Sequence, residues 1–345
     1  MTDRLLVADL NARSRNWALT PEGERRLREE APPGWRLHVV REMTSSDGDG
    51  PPRPGDEVMA AIRDAEVYAG FGIPRPLFLE ATKLRWVHSA AAGVGSALYP
   101  EMVASDVLFT NSAAIHAIPI AEYVVAGVLH FLRGLDVALD QQRRGEWNKQ
   151  PFVREDSVLR EMDSVRALIV GVGGLGGESA KRLSALGARC TGVRRRVSAG
   201  VPEGFERVVG LDALDAELSR HDVVVLAAPL TGETNGLLTA ERLDRLPESA
   251  IVVNVARGAL LDEDALAERL RAGRIRGAVL DVFREEPLAS SSPLWQLRQA
   301  VVTPHVSPVS PGRFWPRQLD LLLDNWRRYV AGEPLRNLVD KSAGY

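Results

Sequence analysis

Only one cysteine, Cys190, occurs in the 345 residues, so no disulfide can form within the chain, and a reducing compartment is expected. It sits in an apolar strand run and reads as a small buried hydrophobe. No stretch reaches 18 uninterrupted apolar residues, which argues against a membrane-spanning helix. The opening Met1-Thr2-Asp3-Arg4 lacks the order of a secretory leader, so a cytoplasmic protein is expected. Basic excess is missing too: 43 Lys+Arg against 46 Asp+Glu leave a net charge of -3, with no global field for nucleic acid or acidic lipid. There is no low-complexity tract and no short-period repeat, and no metal is expected. Function must therefore come from a local site.

What is present is α/β alternation. Short apolar strands at 5–8, 37–40, 67–69, 86–89 and 108–110 alternate with amphipathic stretches, which implies a parallel sheet. A second series runs through 167–170, 189–193, 223–227, 250–254, 277–280 and 300–303. A chain of this length exceeds what one core supports, so two domains are expected. Between the two series the spacing predicts one long helix over 119–143, and a last helix is predicted over 319–330 before Gly332-Glu333-Pro334. Residues Ser45 to Gly55 read as a polar surface loop.

The strand Ala167–Val170 opens into Gly171-Val172-Gly173-Gly174-Leu175-Gly176 and then an apolar-spaced helix with Ala180, Leu183 and Leu186. Gly-x-Gly-x-x-Gly between strand and helix lets backbone approach a pyrophosphate at the helix N-terminus. The next strand ends in Arg194-Arg195-Arg196, where the usual fingerprint has an acidic residue for the ribose hydroxyls. Guanidinium forks bind phosphate bidentately, so these arginines predict a 2′-phosphate and favour NADPH over NADH. A solvated basic turn is the alternative.

Three polar residues follow later strands, where ligands of open α/β sheets bind. Arg257 follows Ile251–Ala256, Glu286 follows the strand ending at Leu280, and His305 follows Val301-Val302-Thr303-Pro304. An arginine can hold a substrate carboxylate and polarise a ketone. A histidine can give or take the proton at that oxygen, and a carboxylate paired with it fixes the tautomer. Singly, each has a plainer alternative: a surface ion pair, a satisfied histidine, a solvated carboxylate. His116, at the start of the long helix, and Arg313, Phe314 and Trp315 are weaker candidates for the substrate or cofactor pocket, with local bonding or packing as their alternative.

Five ordered segments carry a resemblance: Gly171–Gly176, Ala-Pro-Leu-Thr-Gly-Glu-Thr at 228–234, Asn-Val-Ala-Arg-Gly at 254–258, Leu-Asp-Val-Phe-Arg-Glu-Glu-Pro-Leu at 280–288 and Thr-Pro-His at 303–305. In these the chain resembles the D-isomer-specific 2-hydroxyacid dehydrogenase family. The resemblance implies two Rossmann-like domains: a dinucleotide-binding, doubly wound parallel sheet over 114–307, and a smaller flavodoxin-like substrate domain from 1–113 plus 308–345. It implies that Arg257, Glu286 and His305 are the catalytic Arg, Glu and His. It further implies that Asp281 takes the nicotinamide carboxamide, that Ala228, Pro229, Thr234, Val255 and Ala256 line the cofactor channel, and that Ala92, Gly93 and Val94 hold the substrate carboxylate. A small 2-oxo or 2-hydroxy acid substrate and a homodimer joined through the cofactor domains and their long helix are implied as well. Arg194 departs from the NAD-type pattern and resembles the NADPH-using glyoxylate and hydroxypyruvate reductase branch. Gly95 stands where many relatives have Asp, which leaves substrate choice open. Glu286 argues against the formate dehydrogenase branch, which has Gln there. A dinucleotide-sensing scaffold of the corepressor type is the alternative to an enzyme.

Overall fold

Apolar runs become parallel strands throughout, as the alternation requires. The computed structural model describes residues 4–43 and 53–344, so most of the polar loop expected at 45–55 lies outside the described residues. Two compact units divide the chain: Met1–His116 with Ser310–Tyr345, and Ala117–Val309.

The first unit runs β1 (Arg4–Asp9), α1 (Pro21–Glu29), β2 (Trp35–Val39), α2 (Asp56–Ala61), β3 (Val67–Gly70), α3 (Arg75–Glu80), β4 (Trp86–Ser89), α4 (Pro100–Ala104) and β5 (Leu108–Thr110). The five strands pair in parallel in the order β2-β1-β3-β4-β5, the flavodoxin-like order. One apolar cluster covers each face of this sheet.

The second unit begins with α5 (Ala117–Leu132), α6 (Leu135–Arg144) and α7 (Gln150–Val153). Then come β6 (Arg166–Val170), α8 (Gly174–Ala185), β7 (Arg189–Val193), β8 (Arg207–Val209), α9 (Leu214–Leu218), β9 (Val223–Leu226), α10 (Ala240–Leu243), β10 (Ile251–Asn254), α11 (Glu263–Arg271), β11 (Gly277–Leu280) and β12 (Ala300–Val302). The sheet order is β12-β11-β10-β9-β6-β7-β8, all parallel. The chain steps outward from β6 to β7 and β8, then returns to the other side of β6 with β9, so the order reverses there. Alternate residues feed opposite faces: Leu168, Val224 and Val252 join one cluster, Ile169, Val225 and Val253 the other. The last helix, α12 (Phe314–Ala331), belongs to the first unit, where Leu319, Leu322, Leu323 and Trp326 are buried.

The single helix expected over 119–143 is in fact two, α5 and α6, bent by 67°. Gly134 makes the break. It adopts φ +63°, which glycine tolerates, and a Cβ there would stand 3.0–3.2 Å from Phe152, Val158 and Leu159. Among the described residues no single helix is long and apolar enough to cross a membrane. Cys190 is buried at 1% exposure, and burial pushes its thiol up to about 12, as an inert apolar residue requires.

Candidate active site

One register row crosses the seven-stranded sheet at its carboxyl end: Val302, Leu280, Asn254, Leu226, Val170, Val193 and Val209. Every site residue expected in this unit lies just beyond that row, where an open α/β sheet receives ligands.

The glycine turn divides its work. Gly171 adopts φ +103°, and a Cβ there would be 2.5 Å from the Ala227 carbonyl oxygen. Gly176 lets the first turn of α8 lie on the loop, since its Cβ would stand 1.8 Å from the Gly171 oxygen. Gly173 faces open space and, as the N-cap of α8, offers no capping side chain. Gly173 and Gly174 are exposed and Leu175 is half-buried. An uncapped helix end reached over bare glycine fits the pyrophosphate of a dinucleotide.

At the end of β7, Arg194 is half-buried and donates to the Gly200 carbonyl, while its Nε is buried without a partner. A buried guanidinium N–H lacking an acceptor suits an anion. Arg195 and Arg196 are exposed, and Arg195 lies 4.0 Å from Glu233. Glu233 belongs to the loop after β9, which Thr234 closes on itself: its hydroxyl donates to Pro229 O at 2.6 Å and accepts from the Thr231 N–H at 2.8 Å. Ala228, Val255 and Ala256 are buried, and Pro229 is exposed.

Glu286 and Arg257 are anchored on backbone groups, and the His305 ring on Glu286. Phe283 N–H donates to Glu286 Oε1 at 2.9 Å, and Glu286 Oε2 lies 2.9 Å from His305 Nδ1. With Nδ1 held there, Nε2 is the nitrogen left for a substrate. Arg257 is exposed, and its Nη1 donates to Ala256 O at 2.6 Å. Its turn is built by Asn254, whose amide donates to Arg257 O at 3.0 Å and accepts from the Ala256 N–H at 3.2 Å. The next residue, Gly258, would drive a Cβ to 1.9 Å from the Phe283 carbonyl carbon, so the Arg257 and Phe283–Glu286 turns touch backbone to backbone. Glu286 and His305 are thus joined directly, while the Arg257 turn meets theirs through backbone and its side chain bonds Ala256 O. His305 itself adopts φ +52°, a strained angle for a non-glycine residue.

Asp281 is fully buried. Its Oδ1 accepts from the Thr303 hydroxyl at 2.5 Å and the Val306 N–H at 2.8 Å, and its Oδ2 accepts from the Ser307 N–H at 2.9 Å. Its carboxylate is therefore committed to the turn that carries His305.

In the first unit, Ala92 and Gly93 are exposed and Val94 is buried. Asn111 holds the Ala92 carbonyl at 2.8 Å, and the Ser112 N–H holds the Ala91 carbonyl at 3.1 Å. The loop springs from β4, where buried His88 bonds Thr110 at 2.9 Å and Gln318 of α12 at 2.9 Å. His116 stacks on Phe314 at 5.5 Å, with Trp17 edge-on to both. Phe314 and Trp315 lie in the core, as packing residues do.

Sequence reasoning gave no role to Asn254 and Thr303, which it quoted only within motifs, and did not single out Tyr123. Each is a polar group placed in an apolar run, at 251–255, 300–304 and 117–132, and that misplacement is the signal that could have found them.

The family model described as "D-isomer specific 2-hydroxyacid dehydrogenase, NAD binding domain" matches residues 125–307. Glyoxylate/hydroxypyruvate reductase A of Salmonella newport (strain SL254) is 34% identical over 286 residues, 81% of this chain and 87% of that one. A D-isomer specific 2-hydroxyacid dehydrogenase from Xanthobacter autotrophicus Py2, solved with NADPH and MES, superposes with a TM-score of 0.79 at 30% identity, covering all of both chains. The NADPH-dependent glyoxylate/hydroxypyruvate reductase of Sinorhizobium meliloti, solved with NADP and sulfate, gives 0.77 at 26% identity over 99% of this chain and 100% of that one. The chain belongs to the D-isomer specific 2-hydroxyacid dehydrogenase family and is an oxidoreductase.

Proposed function

We propose that this protein reduces glyoxylate or hydroxypyruvate to the D-2-hydroxy acid and prefers NADPH to NADH. The observation that carries the reading is the Glu286–His305 pair at 2.9 Å, which leaves one imidazole nitrogen free beyond the sheet's carboxyl end. The names of the Salmonella and Sinorhizobium relatives support the substrate class.

When bound, the nicotinamide dinucleotide supplies the hydride that reaches the substrate's C2. The chain supplies the rest. Gly173, Gly174 and Leu175 offer backbone N–H groups to the pyrophosphate, and Arg194, Arg195 and Arg196 take the 2′-phosphate. Ala228, Pro229, Thr234, Val255 and Ala256 line the channel, while the Asp281 carboxylate, which the family resemblance implies for the carboxamide, is instead spent on the His305 turn. The Ala92-Gly93-Val94 backbone takes the substrate carboxylate, and Arg257 steadies the oxygen where negative charge develops. His305 donates the proton to that oxygen from Nε2, while Glu286, anchored by Phe283 N–H, holds the ring through Nδ1. In the reverse direction His305 accepts the proton. Exposed Leu135, Leu139, Trp147 and Val153 form apolar surface on and after α6 and support pairing of two protomers there. Sedimentation equilibrium measures that pairing.

The test is a panel of 2-oxo acids assayed with each cofactor. Glyoxylate and hydroxypyruvate are expected to give the highest kcat/KM, with NADPH favoured on the order of tenfold or more. Arg194→Asp with Arg195 and Arg196 neutralised is expected to weaken NADPH far more than NADH. Turnover confined to larger 2-oxo acids would overturn the substrate assignment, and equal losses for the two cofactors would remove the arginines from phosphate recognition.

A further inference from the structure

We propose that Tyr123, on α5, is a positioning residue for His305 and acts through Thr303 and Asp281. The Tyr123 hydroxyl lies 2.6 Å from Thr303 Oγ1. The one hydroxyl proton of Thr303 goes to Asp281 Oδ1, so Tyr123 is the donor in the Tyr123–Thr303 bond. Burial pushes the tyrosine up to about 12, which keeps that proton in place.

Asp281 then acts as a hub. Its carboxylate receives Thr303 from before His305 and the Val306 and Ser307 N–H groups from after it, while its backbone carbonyl accepts the His305 N–H at 2.9 Å. Four bonds to one residue therefore bracket a histidine whose backbone sits at φ +52°. Such a conformation persists only where its surroundings over-determine it. Tyr123 starts this line: its bond polarises the Thr303 hydroxyl and strengthens the bond to the buried carboxylate. The two ends of His305 thus have separate controls, Glu286 on the ring and the Tyr123 line on the backbone. Helix α5 is seated firmly enough to serve, since Val124, Val128 and Phe131 are fully buried and a Cβ on Gly127 would stand 2.7 Å from Val279.

This inference rests on the reading of His305 as proton donor. The experiment compares Tyr123→Phe, Thr303→Val, the double variant and Thr303→Ser in glyoxylate reduction with NADPH. Tyr123→Phe and Thr303→Val are each expected to lower kcat on the order of tenfold, with KM values within about threefold, because misplacing a reacting group costs rate before it costs binding. The double variant is expected to be no worse than Thr303→Val, since both cut the same line. Thr303→Ser keeps the hydroxyl and is expected to stay near wild type. In the cofactor-free protein, the ring NMR signals of His305 are expected to broaden in Tyr123→Phe while the melting temperature holds. Unchanged kcat and unchanged ring signals in Tyr123→Phe would overturn the proposal, as would losses that multiply in the double variant. A His305→Ala enzyme with full turnover would instead overturn the underlying reading; an inactive His305→Ala beside an unaffected Tyr123→Phe would sink this proposal alone.

Discussion

Glu286 contributes two separate things to His305, a fixed place and a negative charge. Glu286→Gln separates them: its amide oxygen can still accept from Phe283 N–H, but the charge opposite Nδ1 is gone. Positioned proton transfer is worth roughly 10²–10⁴-fold, so His305→Ala is expected to lose kcat in that range while NADPH binding stays within about threefold. Glu286→Gln is expected to lose less, on the order of tenfold, because the imidazole is still present. Steady-state kinetics with a fluorescence titration of NADPH measures both. A Glu286→Gln enzyme as poor as His305→Ala would mean that the carboxylate, not the ring, is indispensable. At this scale Arg257, Glu286 and His305 were readable as candidates from their places after strands, and their roles from the ordered motifs of the family resemblance. Their support was not. A strained φ, an Asx turn at Asn254 and a tyrosine on a distant helix depend on contacts that no local sequence window contains.

Elements were legible in proportion to how strongly a single face dictates them. The central strands of both sheets, buried on both sides, stood out as apolar runs. The edge strand β8 did not, because Arg207–Val209 is three residues long with one side chain buried. The α5–α6 break failed for another reason: apolar spacing continues across it, and the positive φ and the segment 152–159 packed at Gly134, which explain the glycine, are not visible in that spacing. The α8 glycines give an element-scale prediction. Gly176→Ala must relieve a 1.8 Å approach to the Gly171 carbonyl oxygen and is expected to cost about 1–3 kcal/mol of stability as well as cofactor binding. Gly173→Ala meets no atom within 4 Å and is expected to stay within about 1 kcal/mol of wild type. It should nonetheless weaken NADPH, because its methyl group occupies the approach to the helix end. Chemical denaturation beside NADPH titration tests the contrast. If Gly173→Ala bound NADPH normally, the pyrophosphate would lie elsewhere.

Acid stability belongs to the whole molecule, because buried His88 and His221 and half-buried His130 lie in both units and shift the same way. Burial pushes His88 down to about 3 from an ordinary 6.5, and it also lowers His130 and His221. Below about pH 6.5 the unfolded chain takes up protons that the folded chain refuses. Stability is therefore full above that pH and falls as pH drops, by up to roughly 1.4 kcal/mol per pH unit for each histidine kept neutral. Carboxylates held low by arginine partners, such as Glu66 and Glu24, add their own loss only nearer pH 4. Asp9 and Glu263, raised by burial, act in the opposite sense as pH falls through their folded values. The window from pH 7.5 to 5.5 spans the ordinary histidine value, where the unfolded chain protonates these three histidines. His88→Asn isolates the largest of them, since it keeps a donor toward Thr110 and cannot titrate. Wild type is expected to lose melting temperature across that window, and His88→Asn to lose less, though it starts from a lower value because the bonded line from Thr110 through His88 to Gln318 and Ser112 is rebuilt imperfectly. Calorimetry at the two pH values measures both slopes. Equal slopes would mean that the folded first unit admits a proton to His88, and that the link from the Ala92–Val94 loop to α12 is looser than the bond lengths imply.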